Sequence, residues 1–94
     1  MAKLILSWNL KSEDTSKYFE FVVQNYLPEL SKFNMRPSQA WYTLYGAGPQ
    51  IVTTIETPDG DYESMLKIVR SPAWANLRAM LDEFVTDYRQ HIAH

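Results

Sequence analysis

From Lys3 to Lys11 apolar and polar residues alternate. Leu4, Leu6, Trp8 and Leu10 fall on one side, and Ile5, Ser7 and Asn9 on the other. A two-residue period predicts a strand with one buried face. After a cluster of N-capping and acidic side chains at 12–16, the period lengthens. Phe19, Val22, Val23, Tyr26, Leu27 and Leu30 recur every three or four residues, which predicts an amphipathic helix over Lys17–Phe33. Pro28 is expected to kink that helix or to end it a turn early.

The stretch Ala40–Thr57 reads as a hairpin. Two runs of aromatic and β-branched residues flank Gly46-Ala47-Gly48-Pro49, a turn-forming tetrapeptide. Ala40, Tyr42 and Leu44 share one face of the first strand, and Gln39, Trp41, Thr43 and Tyr45 the other. In the second strand Ile51, Thr53 and Ile55 oppose Val52 and Thr54. Asp59 or Asp61 then caps a helix with the stripe Tyr62, Met65, Leu66 and Val69. Ser71-Pro72 restarts the helix, and Trp74, Leu77, Leu81, Phe84 and Val85 carry the stripe onward. The last ten residues fit two patterns. Tyr88 and Ile92 extend the helical stripe by four-residue steps, whereas Tyr88, Gln90 and Ile92 alternate as in a strand.

Taken with a final strand, the order is βαββαβ, the ferredoxin-like α+β arrangement, in one domain over residues 1–94. Right-handed crossovers place both helical units on one face of a four-stranded antiparallel sheet. The other face is left bare, yet it must carry a row containing either Trp41 and Tyr45 or Tyr42 and Leu44. An uncovered aromatic row on a small domain predicts a partner, and the simplest is a second copy packed sheet to sheet.

Composition narrows the function classes. A net charge of −2, with nine basic against eleven acidic residues, supplies no general attraction to nucleic acid or anionic lipid. Aromatic residues on a ferredoxin-like sheet raise RNA stacking as a competitor, but no basic cluster neighbours the hairpin. The absence of cysteine excludes disulfides, thiolate metal sites and thiol nucleophiles. No apolar run reaches the length of a membrane span. No cofactor, nucleic-acid or membrane partner is expected, and a cytoplasmic location is the default expectation.

The order of elements, the helix-ending Tyr26-Leu27-Pro28-Glu29-Leu30, the hairpin Leu44–Pro49 and the restart Ser71-Pro72-Ala73-Trp74 resemble the dimeric α+β barrel superfamily. That superfamily includes antibiotic-biosynthesis-type monooxygenases and EthD-like and NIPSNAP-like proteins. The resemblance covers most of the chain. It implies two four-stranded sheets packed face to face with helices outside, and a last strand near Thr86–Ala93 that locks the dimer. These motifs are structural, and no catalytic signature carries over residue by residue.

Candidate chemistry is therefore sparse. Trp8, Trp41, Tyr42, Tyr45 and Trp74 could line a pocket between sheet and helices, with a Tyr hydroxyl or Asn9 to orient a small aromatic or polyketide-like molecule for binding or oxidation. The alternative is that these aromatics only build the core and the dimer interface of a non-catalytic module. His91 and His94 have metal-ligand spacing on a helix, but a site needs a third ligand, and on a strand the two diverge; no metal site is expected. Arg36 beside Pro37 could meet an anionic ligand, although a solvated loop arginine explains it as well. The acidic residues show no paired-carboxylate arrangement.

Overall fold

The computed structural model describes residues 2–11, 15–42, 50–58 and 60–93, with the backbone alone at positions 41 and 42. Among the described residues, four strands form one open antiparallel sheet in the order β2-β3-β1-β4. These are β1 (Lys3–Leu10), β2 (Arg36–Tyr42), β3 (Ile51–Glu56) and β4 (Val85–Ala93). The ferredoxin-like order follows from the alternation read in the sequence. Leu4 and Leu6 are fully buried and Trp8 nearly so, while Ile5, Ser7 and Asn9 are half-exposed on the opposite face. Opposite β1, Leu4 pairs with Ile55, Leu6 with Thr53 and Trp8 with Ile51, so one continuous apolar layer meets the helices. The hairpin turn at 46–49 and Tyr45 lie outside the described residues.

The first helical unit departs from a single amphipathic helix. It runs as α1 (Ser16–Phe21), one π-helical turn (Val22–Tyr26) and α2 (Leu27–Lys32). Pro28 lies in the first turn of α2, immediately after the wide turn. Its missing N–H and its ring clash with the carbonyl four residues back are relieved by a local change of helical pitch. The extra residue rotates the buried stripe. Phe21 and Tyr26, five apart, both reach the core with ring centroids 6.1 Å apart. Phe19 and Val23 of the expected stripe are instead exposed, and Tyr18, absent from it, is buried. The helix ends cleanly at Asn34, whose φ of 58° is left-handed. Met35 N–H bonds the Leu30 carbonyl at 2.9 Å and Asn34 N–H bonds that of Ser31 at 3.0 Å, a Schellman closure.

The second helical unit is α3 (Tyr62–Val69) and α4 (Pro72–Leu81). Asp61 caps α3 by accepting from Glu63 N–H at 3.3 Å, and Ser71 caps α4 by accepting from Trp74 N–H at 3.2 Å, with Pro72 first in the helix. Met65, Trp74, Leu77 and Leu81 are buried against the sheet. The tail is a strand, not a helical extension: β4 pairs with β1 from Lys3↔Ala93 to Leu10↔Val85. The pairing slips between Ser7 and Asn9, where Asp87 takes a φ of 56°. The register before the slip sets Tyr88 beside Trp8 on the apolar side, and the bulge beyond it brings Val85 opposite Leu10.

Candidate functional site

Between the sheet and the first helical unit lies a cavity of about 400 Å³, within the range of small-molecule sites. Trp8 and the β3 residues Thr53 and Ile55 form its floor, Tyr18 and Tyr26 its helical wall. Pro37 and Ala40 of β2 close one side, and the exposed Phe19 and Leu27 stand at its rim. The described lining is apolar apart from the Tyr18, Tyr26 and Thr53 hydroxyls and the Trp8 indole N–H.

Among the described residues, few polar side chains line this space. The Trp8 indole Nε1–H donates to the Tyr18 hydroxyl at 3.0 Å. Thr53 Oγ1–H donates to the Gln39 carbonyl at 3.0 Å. Burial raises the Tyr18 pKa above the ordinary phenol value, partly opposed by the bond from Trp8. Burial also pushes Tyr26 well above that value, and its neighbours Tyr88 and Tyr18 add to the effect. Both phenols are therefore neutral at physiological pH. Tyr26 meets the Trp8 ring edge-on at 6.1 Å and 80°.

Behind the floor, a second layer fixes Trp8. Tyr88 lies parallel to its indole, and the Arg78 guanidinium sits 4.3 Å above the Tyr88 ring. The Tyr88 hydroxyl donates to Gln90 Oε1 at 2.9 Å, and Trp74 Nε1–H donates to the same oxygen at 3.2 Å.

Of the residues expected to form a pocket, the structure places Trp8 in the cavity and Trp74 and Asn9 away from it. Trp74 packs in the core under α4, edge to Phe33 at 5.9 Å, and serves Gln90. Asn9 is on the other side of the sheet, where its Nδ2–H donates to Asp87 Oδ2 at 3.0 Å and its Oδ1 accepts from Gln50 N–H at 2.9 Å. Trp41 is registered opposite Val52 and Tyr42 opposite Ile51. His91 is exposed on β4, and His94 lies outside the described residues. No cluster of three metal-ligating side chains occurs among the described residues. Arg36 is exposed at the start of β2. Sequence reasoning did not single out Tyr18, Tyr26 or Thr53 as site residues. The signal for Tyr18 is its four-residue spacing to Val22 and Tyr26, which competes with Phe19 at three residues from Val22.

No protein-family model matches the chain, and no curated protein matches it. Solved structures do, over nearly their whole length. An uncharacterised NIPSNAP domain protein from Burkholderia xenovorans superposes with a TM-score of 0.71 at 10% identity, covering 100% of this chain and 93% of that one. An EthD family protein from Bacillus halodurans gives 0.68 at 14% identity, covering 100% and 98%. A putative antibiotic biosynthesis monooxygenase from Nitrosomonas europaea gives 0.65 at 9% identity, covering 100% and 97%. A protein from Bacteroides fragilis described as dimeric, of unknown function and ferredoxin-like fold, gives 0.61 at 12% identity, covering 99% and 94%. These neighbours match the superfamily that the sequence resembles, and at such identities the likeness is one of fold.

Proposed function

We infer that this chain binds a small, flat, predominantly apolar molecule, aromatic or polyketide-like, in the cavity between β1–β3 and the first helical unit. The observation that carries this reading is a space of about 400 Å³ walled by Trp8, Tyr18 and Tyr26 and opening past Phe19 and Leu27. A well-packed domain of this size has no packing reason to leave such a volume unfilled, since voids lose dispersion contacts and stability. Binding fits the wall better than proton-transfer catalysis. Its described lining holds no carboxylate, histidine or lysine, and its phenols are shifted away from ionisation.

The same reading makes the chain a homodimer through the bare sheet face. Ile5 and Val52 stand half-exposed there, without helices to cover them. Support comes from the dimeric Bacteroides fragilis protein of the same fold. Native mass spectrometry of freshly purified protein tests both parts. A species at twice 11.0 kDa carrying a reproducible small adduct, or taking up added planar aromatics at one per chain, is the expected result. A monomer that takes up none of them would overturn it.

A further inference from the structure

We propose that the Tyr18 hydroxyl is a directed hydrogen-bond donor that selects uncharged planar ligands bearing a carbonyl-type acceptor; this rests on the cavity being a ligand site. An indole N–H can only donate, so the bond from Trp8 at 3.0 Å occupies the acceptor side of the Tyr18 oxygen. The phenol's own proton is left to be given elsewhere. The other polar groups of the floor are committed: Trp8 Nε1–H to Tyr18, and Thr53 Oγ1–H to the Gln39 carbonyl. Trp8 cannot swing to release Tyr18, because Tyr88 lies parallel to it on one side and Tyr26 meets it edge-on. The phenol is therefore both protonated and oriented before a ligand arrives.

The rest of the lining decides charge. Among the described residues it contains no Lys, Arg, His, Asp or Glu. A carboxylate, phosphate or ammonium entering it would lose its hydration with no counter-charge to replace it. A plain hydrocarbon avoids that loss but leaves the Tyr18 proton unpaired once water is expelled. A ketone or quinone on a fused-ring frame meets both conditions.

The test compares 9-fluorenone with fluorene, which share one planar frame and differ in the carbonyl. Affinities are measured by isothermal titration calorimetry on the full chain and on its Tyr18→Phe and Tyr26→Phe variants. For the wild type, fluorenone is expected to bind about five- to tenfold more tightly than fluorene, the worth of one net hydrogen bond. Tyr18→Phe should abolish that preference while leaving fluorene affinity within about twofold; Tyr26→Phe should retain it. Should Tyr18→Phe fail to fold, the carbonyl stretch of fluorenone bound to the wild type supplies the reading. It moves to lower frequency than in hexane if a phenol donates to it, and an unshifted band overturns the proposal. Equal wild-type affinity for both probes overturns the donor role but not the cavity. If neither probe binds, the ligand-site reading falls and takes this inference with it.

Discussion

The rings of Tyr88 and Trp8 lie parallel, 3° apart, with centroids separated by 6.0 Å. The pairing that runs from Lys3↔Ala93 to Ser7↔Arg89 carries on to set the two side by side on the face toward the helices, and the slip at Asp87 comes only after them. The stack makes the cavity floor a two-layer aromatic slab instead of a single mobile indole. Trp8→Ala should therefore cost about 3–5 kcal/mol in urea denaturation, the range for deleting a buried large aromatic. Tyr88→Phe keeps the stack and gives up the bond to Gln90, so about 1 kcal/mol is expected. Equal losses for the two variants would show that the stack itself contributes little.

Buried phenols make the fold sensitive to alkali. Tyr88 is pushed up to about 12, first by burial, with Asp82 adding, while Arg78 and the bond from Trp74 pull the other way. Tyr18 and Tyr26 are raised too. An unfolded chain releases these protons near pH 10, whereas the folded chain holds them, so the folded state binds more protons above that point. Stability is complete below pH 10 and falls as pH rises toward 12, by roughly 1.4 kcal/mol per pH unit for each tyrosine at full effect. Urea midpoints measured from pH 8 to 11.5 should stay level and then drop. Tyr88→Phe should shallow the fall, and an unchanged slope would exclude Tyr88 as a contributor.

What could be read from the chain follows from how one-sided each element is. Leu4, Leu6 and Trp8 against Ile5, Ser7 and Asn9 admit one strand orientation, and the caps Asp61 and Ser71 sit where their hydrogen bonds require. The tail reads two ways for a geometric reason: residues four apart, such as Tyr88 and Ile92, share a face in a helix and in a strand alike. Long-range pairing with β1 decides the matter, and periodicity carries no information on it. The expected stripe holds at Tyr26 and Leu30 and is out of phase before them, because a π turn inserts an extra residue between the two halves of the helical unit. The cavity wall shares that misphasing at Tyr18, which the expected stripe omits, whereas Tyr26 falls on the stripe and on the wall alike. The sequence offers Asn9 to orient a ligand, yet Asn9 directly follows Trp8, and adjacent strand residues face opposite sides.

Two left-handed residues offer a contrast. Asn34 closes the helix in a position glycine prefers, and Asp87 sits in the β4 bulge while accepting from Asn9. Asn34→Gly should be neutral or stabilising by up to about 1 kcal/mol, because it removes the Cβ penalty and keeps both closing backbone bonds. Asp87→Val should destabilise by about 1–3 kcal/mol, since a β-branched residue resists positive φ and the Asn9 bond is lost. Thermal melts of the two variants should move in opposite directions or leave Asn34→Gly unmoved. A lowered midpoint for Asn34→Gly would mean that its side chain, not its backbone angle, closes the helix.

The bare sheet face gives the last prediction. Val52 and Ile5 belong to neighbouring strands on the side away from the helices, and both are half-exposed in the single chain. If a second copy covers them, a carboxylate at Val52 is buried without a partner on both sides of a twofold interface. Val52→Glu should then shift the protein from twice 11.0 kDa toward 11.0 kDa in sedimentation velocity at micromolar concentration. The monomer's own core lies on the opposite face of the sheet, so the circular dichroism of the variant should keep its α+β form. Val52→Thr, which conserves shape without adding charge, should remain dimeric. A wild type that sediments as a monomer, or a Val52→Glu variant that stays a folded dimer, would remove the sheet face as the interface. In the second case the pairing surface would have to be sought along the exposed Phe19, Val23 and Leu27 of the first helical unit.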